Sequence, residues 1–247
     1  MAELSASNVY TCNAILSDRP TTLAFVQLTY GQASYLFYDE NSAGRMIAFE
    51  DMPHQFDAVE AFLFGGISLH CNPGAETYVQ FAETHAHGSV LMVDPNIRTS
   101  FISNEMLFRE HMERIFRLAD IVKVSDEDLN WLFPEPETVE KKINRLRESG
   151  PALVILTQGE AGVTAWKPEG NPIFVESLKV DVVDTVGAGD SFNAGFLTSL
   201  AKAGHLNKAD IRLILENDIV AALNYGVRAA AVTVGRAGAN PPWKDEL

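Results

Sequence analysis

The sequence predicts a three-layer α/β fold around a mostly parallel β-sheet. Three observations lead to this prediction: short apolar runs recur from residue 61 onward, a helical pattern follows most of them, and no linker or repeat divides the chain. Runs this short and this apolar are typical of strands buried on both faces of a parallel sheet. The alternation of strands and helices favours right-handed crossovers. We therefore expect a single domain over residues 1–247.

Composition narrows the classes of partner. The chain has 19 Lys and Arg against 33 Asp and Glu, which gives a net charge of −14. This charge argues against binding to nucleic acid or to anionic membranes. Its two cysteines, Cys12 and Cys71, are too few for a disulfide scaffold and suit a reducing cytosol. No secretory signal and no membrane-spanning run is evident. We expect a cytoplasmic protein that acts on a small molecule, and a helix N-terminus could still attract an anionic one.

The elements before the sheet are weakly patterned at first. Residues 1–20 are expected to be helical or loosely held. Residues 22–28 and 34–38 are rich in β-formers and are joined by Thr29-Tyr-Gly-Gln, which predicts a hairpin.

The remaining elements follow in order along the chain. Four strands are predicted from continuous apolar runs, at residues 62–64, 90–93, 121–124 and 153–156. Helices are predicted between and after them from the spacing of apolar residues, at 76–85, 105–118, 126–133 and 139–148. The C-terminal part is expected to contain a second hairpin, two helices and a last strand, at residues 163–175, 190–203, 208–226 and 231–234.

Polar and glycine-rich segments follow the predicted strands. They are Gly65-Gly66, Asp94-Pro-Asn-Ile-Arg98, Ser125-Asp126 and Thr157-Gln-Gly159. In open α/β sheets, ligands bind beyond the carboxyl ends of the strands. The sequence therefore predicts a ligand site at this edge of the sheet.

The strongest local signal is Asp184-Thr-Val-Gly-Ala-Gly-Asp-Ser-Phe192, at the predicted start of a helix. Gly187, Ala188 and Gly189 let a ligand approach the backbone, and free N–H groups at a helix start can bind an anion. Asp190 would repel a bound phosphate unless it accepts the proton of an attacking hydroxyl, as phosphoryl transfer requires. The alternative is that Asp190 only complements the helix dipole and that the glycines form a tight turn.

This segment closely resembles the C-terminal signature of the ribokinase-like (PfkB) carbohydrate kinases. The resemblance extends from about residue 18 to residue 242 and includes Asp94-Pro-Asn-Ile-Arg98 and Gly238-Ala-Asn-Pro241. Within the family, the sequence is most similar to bacterial fructokinases and 2-keto-3-deoxygluconate kinases. The resemblance implies an enzyme that transfers the γ-phosphoryl of Mg-ATP to a hydroxyl of a ketose or sugar acid.

The resemblance also implies roles at the helix start. Asp190 would be the catalytic base, and the N–H groups from Gly187 through Ala188 and Gly189 to Asp190 would stabilise the transferring phosphoryl.

A monovalent-cation site is implied close by. Asp184, with the backbone near Val186, Arg236 and Gly238, resembles the family's site for such an ion. K⁺ is therefore a candidate cofactor beside ATP and Mg²⁺.

The nucleotide site is implied by two segments. Thr157, Gly159 and Gly162 resemble the segment that approaches the phosphates and ribose, whereas the alternative is a turn that ends a strand. Asn224 lies where family members line the adenine pocket, and its alternative is an ordinary position on a helix surface.

Asp128 is a candidate for holding Mg²⁺ through water. The family usually carries Asn-x-x-Glu here, whereas this chain has Ser125-Asp-Glu-Asp128. The same residues approximate a capping box, and we give that interpretation the larger share. The two roles are compatible, because a capped helix end can still hold a solvated metal ion.

The substrate candidates are Asp94, Asn96 and Arg98, which follow a predicted strand. Arg98 could hold a phosphate or a sugar-acid carboxylate, and the alternative is a surface arginine after a turn. His70 is expected to be a packed residue near the site.

The resemblance lacks one part of the family pattern. Members begin with a strand, a sugar-contacting Asp and a Gly-Gly segment, ahead of a stretch like Arg19-Pro-Thr-Thr22, which comes almost at once here. We expect this first βα portion to be absent, which would leave an apolar face or an unpaired sheet edge.

A second interpretation of the function is therefore a nucleotide-binding pseudoenzyme or regulatory protein without a sugar site. A third interpretation is a nucleoside kinase of the same superfamily.

Residues 22–38 are the candidate lid hairpin, through which a homodimer could form.

Overall fold

The computed structural model describes residues 1–29, 32–54, 56 and 58–247. Within these residues, the central sheet has six strands, which are β3 (Ala61–Gly65), β4 (Val90–Asp94), β5 (Ile121–Ser125), β6 (Leu153–Thr157), β7 (Val163–Trp166) and β8 (Ile173–Val175). The strands lie in the order β3-β4-β5-β6-β7-β8. The pairs from β3 to β6 are parallel, and β7 and β8 add an antiparallel hairpin. The parallel strands therefore bring their carboxyl ends to one edge of the sheet.

Helices cover both faces of this sheet. One layer contains α2 (Gly74–His85), α3 (Glu105–Leu118), α4 (Asp126–Leu132) and α5 (Val139–Glu148). The other contains α6 (Ala188–Lys202), α7 (Lys208–Leu213) and α8 (Glu216–Val234). Alternate residues of one strand belong to different cores: Leu91 and Val93 pack in the first, Val90 and Met92 in the second. The predicted three-layer α/β class is confirmed.

The predicted end of the chain is wrong in two respects. Residues 231–234 form the last turn of α8, not a strand, and the predicted helix 208–226 is two helices, α7 and α8. Gly226 resembles a helix stop, but it serves close packing, since a Cβ built there would lie 2.8 Å from the Phe192 ring. The buried stripe continues past it with Ala229 and Thr233, at helical spacing. The break between α7 and α8 turns Ile214 into the core, where it is 1% exposed.

The N-terminal part confirms the predicted hairpin. It contains a short helix, α1 (Ala2–Ala6), and the antiparallel strands β1 (Leu23–Thr29) and β2 (Gln32–Tyr38). Tyr30 and Gly31 of the predicted turn lie outside the described residues.

One face of this hairpin is apolar and exposed. Leu23 is paired with Tyr38, and Phe25 with Leu36, so the four side chains share a face. All four are between 48% and 59% exposed. On the other face, the Phe37 ring lies 4.3 Å from that of Phe101, between centroids.

The outer edge of β3 is unpaired among the described strands, because β4 is the neighbour on its other side. Leu63, at the middle of β3, is 46% exposed. The described part of the sheet therefore has an open edge at β3. No helix in the described part of the chain is long and apolar enough to cross a membrane.

Candidate active site

The first turn of α6 begins where the sequence predicted a helix start. Gly187 occupies the N-cap with a φ of 81°, a left-handed conformation that favours glycine. The amide of Ala188 donates to the Thr185 carbonyl at 3.3 Å. The amides of Gly189 and Asp190 follow, in the turn where helix geometry offers no acceptor. Asp190 is exposed, so a carboxylate and an anion-attracting helix end face solvent together.

A buried polar network lies under this turn. Asp94 Oδ2, at the end of β4, accepts hydrogen bonds from Lys123 Nζ of β5 at 2.9 Å and from Asn193 Nδ2 of α6 at 2.7 Å. Asp94 and Lys123 are each 5% exposed and Asn193 is 1% exposed. Within the described residues, Asp94 Oδ1 and Asn193 Oδ1 are buried without a hydrogen-bond donor. The network connects three elements at the carboxyl edge of the sheet.

Asp94 was a predicted substrate contact. Its burial and its two hydrogen bonds favour a supporting position under the site, so substrate contact by Asp94 stays a prediction that the structure does not favour.

Asp184 anchors the loop before α6. Its two carboxylate oxygens accept the backbone N–H groups of Val186 and Gly238, each at 3.0 Å. These hydrogen bonds lower the pKa of Asp184 below its ordinary value, and the bond from Val186 has the largest effect. The Arg236 side chain pairs instead with Glu246. The structure therefore brings Asp184, Val186 and Gly238 together, and the monovalent-cation site that these residues form with the backbone of Arg236 stays a prediction.

The donor set at this edge limits which metal ions fit. No group of three or more His, Cys, Asp or Glu within the described ranges is arranged to hold a metal ion. Mg²⁺ in phosphate-binding sites commonly takes one or two carboxylates and completes its shell with water and substrate phosphates. The carboxylates at this edge of the sheet fit a magnesium ion that arrives with a nucleotide. They do not fit a metal ion held by protein ligands alone.

Asp128 forms the predicted capping box at the start of α4. Its backbone N–H donates to Ser125 Oγ at 3.0 Å, and its Oδ2 accepts the Ser125 N–H at 3.1 Å. Its Oδ1 accepts the Ile97 N–H at 2.7 Å. The capping interpretation is confirmed, and a magnesium role for Asp128 stays a prediction. Through Ile97, this carboxylate also fixes the segment from Asp94 to Arg98.

His70 holds the same segment from the other side. Its Nδ1 donates to the Gly66 carbonyl at 2.9 Å, and its Nε2 accepts the Arg98 N–H at 3.1 Å. Burial lowers the pKa of His70 to about 4, so the ring is neutral near pH 7. The packed position expected for His70 is confirmed. The hydrogen bonds join the segment after β3 to the segment after β4.

Asn96 and Arg98 flank Ile97 in the segment that Asp128 and His70 hold. Asn96 has a φ of 40°, and its side-chain nitrogen is 3.9 Å from a Cβ built on Gly66. The Arg98 guanidinium is partly buried and donates to the Ile97 carbonyl at 3.2 Å. The structure thus brings Gly66, Asn96 and Arg98 to one end of the sheet.

The predicted nucleotide residues lie on the neighbouring strands. Thr157, at the end of β6, is in register with Ser125. The turn after it closes by a 2.9 Å hydrogen bond from the Gln158 N–H to the Gly162 carbonyl, and Gly159 begins the 3-10 turn inside it. The exposed Asn224 amide donates to the Val220 carbonyl of its own helix at 2.8 Å. Nucleotide contact by Thr157, Gly159, Gly162 and Asn224 stays a prediction.

Sequence reasoning missed Lys123 and Asn193. A signal for Lys123 was present, because a lysine inside the apolar strand Ile121-Val-Lys-Val must be buried and therefore needs a partner. Asn193 carried no comparable signal, since its partner lies 99 residues away in the chain.

Comparison with known proteins adds independent evidence. The pfkB family carbohydrate kinase model matches residues 1–246. A fructokinase of Rhizobium leguminosarum bv. trifolii is 43% identical over 211 residues, which cover 84% of this chain and 63% of that protein. The chain therefore spans less than two thirds of this relative's length.

Solved structures show the same fold. A fructokinase of Xylella fastidiosa with bound ATP superposes with a TM-score of 0.83 at 25% identity, covering 96% of this chain and 75% of that one. A sugar kinase of Pyrococcus horikoshii in complex with ATP gives a TM-score of 0.81 at 28% identity, covering 100% and 76%. The match over almost the whole sequence, together with the glycine-rich start of α6, shows that the chain belongs to the pfkB family of carbohydrate kinases.

Proposed function

We propose that this chain is an ATP-dependent sugar kinase that phosphorylates a hydroxyl of a ketose, with fructose as the first candidate. One observation carries the proposal: the first turn of α6 presents the exposed carboxylate of Asp190 beside the helix N-terminus that begins at Gly187. A base and an anion site in one turn are what transfer of a phosphoryl group to a hydroxyl needs. The fructokinase that is 43% identical supports the choice of sugar.

The reaction follows from these two groups. Asp190 accepts the proton of the sugar hydroxyl. The hydroxyl oxygen forms a bond to the γ-phosphorus, and the bond from that phosphorus to the ADP oxygen breaks. The backbone amides of Gly187, Gly189 and Asp190 stabilise the charge on the transferring group, whereas that of Ala188 donates to the Thr185 carbonyl. Mg²⁺ supplies charge neutralisation at the β- and γ-phosphates when it is bound.

The nucleotide is assigned to the neighbouring strand end. The turn that contains Gly159 and Gly162 follows Thr157 directly, and a Cβ built on Gly159 would have no atom within 4 Å, whereas Gly162 packs against Val175. The ATP-bound relatives of Xylella and Pyrococcus support the choice of nucleotide. Asn224, exposed on α8, is the proposed contact for the adenine.

Charged groups near the site have proposed roles as well. Arg98 is assigned to an anionic group of the substrates, and Asn96 to a sugar hydroxyl. Asp128 is assigned to Mg²⁺ through water. Asp184 and the backbone of Val186 and Gly238 are assigned to K⁺, because the Asp184 carboxylate, whose pKa these two hydrogen bonds lower, is ionised and attracts a cation.

A second copy of this chain is the proposed partner of the hairpin. The shared face of Leu23, Phe25, Leu36 and Tyr38 is apolar and exposed, and such a face favours association. We expect the paired variant Phe25→Ser with Leu36→Ser to have a lower mass in solution than the wild-type protein. We also infer a cytoplasmic location, where ATP is available and free cysteines such as Cys12 stay reduced.

The test is ADP release by the purified chain with Mg-ATP, measured separately with fructose, 2-keto-3-deoxygluconate, ribose and adenosine. We expect fructose to give the fastest turnover. A preference for adenosine would favour the nucleoside kinase instead. No turnover with any acceptor, in a folded chain that ATP protects against thermal unfolding, would replace the proposal with a nucleotide-binding pseudoenzyme.

A further inference from the structure

We propose that Lys123 is a positioning residue for phosphoryl transfer. It acts through Asp94 and Asn193 to fix the first turn of α6, and with it Asp190. The kinetic part of this proposal rests on the proposed function, whereas the structural part does not.

The contacts form a chain from the sheet to the helix. Lys123 Nζ is 2.9 Å from Asp94 Oδ2, and the same oxygen accepts Asn193 Nδ2 at 2.7 Å. Asn193 follows Asp190 by three residues, which places the two on neighbouring positions of one helix face. The ends of β4 and β5 therefore hold α6 about one turn from the proposed base.

Gly189 lets the helix start sit directly against this network. A Cβ built on Gly189 would lie 3.3 Å from Lys123 Nζ and 4.0 Å from Asp94 Oδ2. The buried ammonium is thus next to the backbone of the predicted anion site.

The groups in this network indicate that it serves to position α6 rather than to stabilise the fold. A buried ion pair is often no more stabilising than an apolar pair of the same volume. Here two buried acceptors, Asp94 Oδ1 and Asn193 Oδ1, also lack donors among the described groups. A half-satisfied buried network is less favourable than a fully paired one, and such arrangements occur where geometry serves function.

The chain provides a matched control at the opposite edge of the sheet. Asp120, which is 2% exposed, pairs with Lys208 and also accepts the Leu91 N–H at 2.8 Å. Leu91 is near the start of β4, whereas Asp94 is its last residue. Both pairs join a lysine to a buried aspartate, although the Lys208 side chain is 29% exposed and that of Lys123 only 7%. The control pair is remote from the start of α6.

The experiment compares two neutralised pairs, Lys123→Met with Asp94→Asn and Lys208→Met with Asp120→Asn. Replacing both partners avoids an unpaired buried charge. Asn193→Ala is a second test that breaks the link to α6 and leaves the ion pair intact. The readouts are hydrogen exchange at the amides of 191–193, thermal unfolding, and kcat and KM for Mg-ATP with fructose.

We expect Lys123→Met/Asp94→Asn and Asn193→Ala to exchange faster at 191–193 and to lose about 10- to 100-fold in kcat, with KM for Mg-ATP little changed. The control pair should keep wild-type exchange at 191–193 and wild-type kcat. Exchange at the wild-type rate in both test variants would overturn the proposal, even if the wild-type chain proved inactive. Faster exchange with an unchanged kcat in an active protein would also overturn it, since the network would then have only a structural role.

Discussion

The carboxyl ends of β4 and β5 and the outer edge of β3 belong to the same sheet, but their groups are paired to different extents. At β4 and β5, a buried carboxylate accepts hydrogen bonds from a buried ammonium and from an amide side chain of α6. At β3, the described strands leave one edge open, and Leu63 is 46% exposed.

This difference shows that side-chain hydrogen bonds hold the segments next to the candidate site in place. Each of Asp94, Asp128 and His70 holds a neighbouring segment in place by hydrogen bonds. Such anchoring fits a site whose geometry must be maintained. None of the described strands pairs with the outer edge of β3, so changes there should affect association more than activity.

The largest expected effect is at Asp190. We expect Asp190→Asn to lower kcat by about 10²- to 10⁴-fold, because a general base contributes that much, with little change in thermal stability. Glu216→Gln is the control, since it also removes a carboxylate from the first turn of a helix, α8. Equal, small effects of the two substitutions on sugar-dependent turnover would mean that Asp190 only complements the helix dipole.

The next effect is the pH dependence contributed by His70. Its pKa is about 4 in the folded chain, below its ordinary value of 6.5, so the unfolded chain binds the proton first as the pH falls. The stability that neutral His70 provides is present above pH 6.5 and is lost as the pH falls toward 4, by about 3 kcal/mol in total. Unfolding by urea at several pH values should show the advantage of wild type over His70→Gln decreasing across this interval. An advantage that does not change with pH would contradict the buried neutral ring.

A smaller effect is expected where α6 packs on α8. Gly226→Ala places a Cβ 2.8 Å from the Phe192 ring, so we expect a loss of about 1–3 kcal/mol in the free energy of unfolding. Gly88→Ala is the control, because a Cβ there has no atom within 4 Å. Equal melting temperatures for both variants would show that the helices are not in close contact.

The smallest effect on stability is expected at the β3 edge. Leu63→Lys should change the free energy of unfolding by no more than about 0.5 kcal/mol, since nearly half of the residue is exposed. A charge on an open edge should also reduce self-association, which light scattering measures. A large loss of stability would mean that Leu63 is packed in solution, and the contrast between the two regions would then fail.

The sequence was most informative where the pattern is local. Continuous apolar runs predicted β4 to β6, and Ser125 with Asp128 predicted the cap of α4. Helix α6 begins within the predicted glycine segment. These features depend on neighbouring residues, so one stretch of sequence specifies them.

Features that depend on distant residues could not be predicted in this way. The local pattern predicts a helix end at Gly226, whereas the partner that explains this glycine, Phe192, lies on another helix. The bonds of His70 to Gly66 and Arg98 depend on how two strand ends meet. Lys123 was an intermediate case, since its burial could be inferred but its partner could not.

The most direct test of the central claim is to follow ADP and sugar phosphate together, with the wild-type chain, Mg-ATP and fructose. A coupled assay measures ADP, and phosphorus NMR measures the sugar phosphate. We predict that both products form in equal amounts and only when fructose is present. ADP formation at the same rate without sugar, or none from a folded chain that binds ATP, would contradict the claim that this chain transfers a phosphoryl group to fructose.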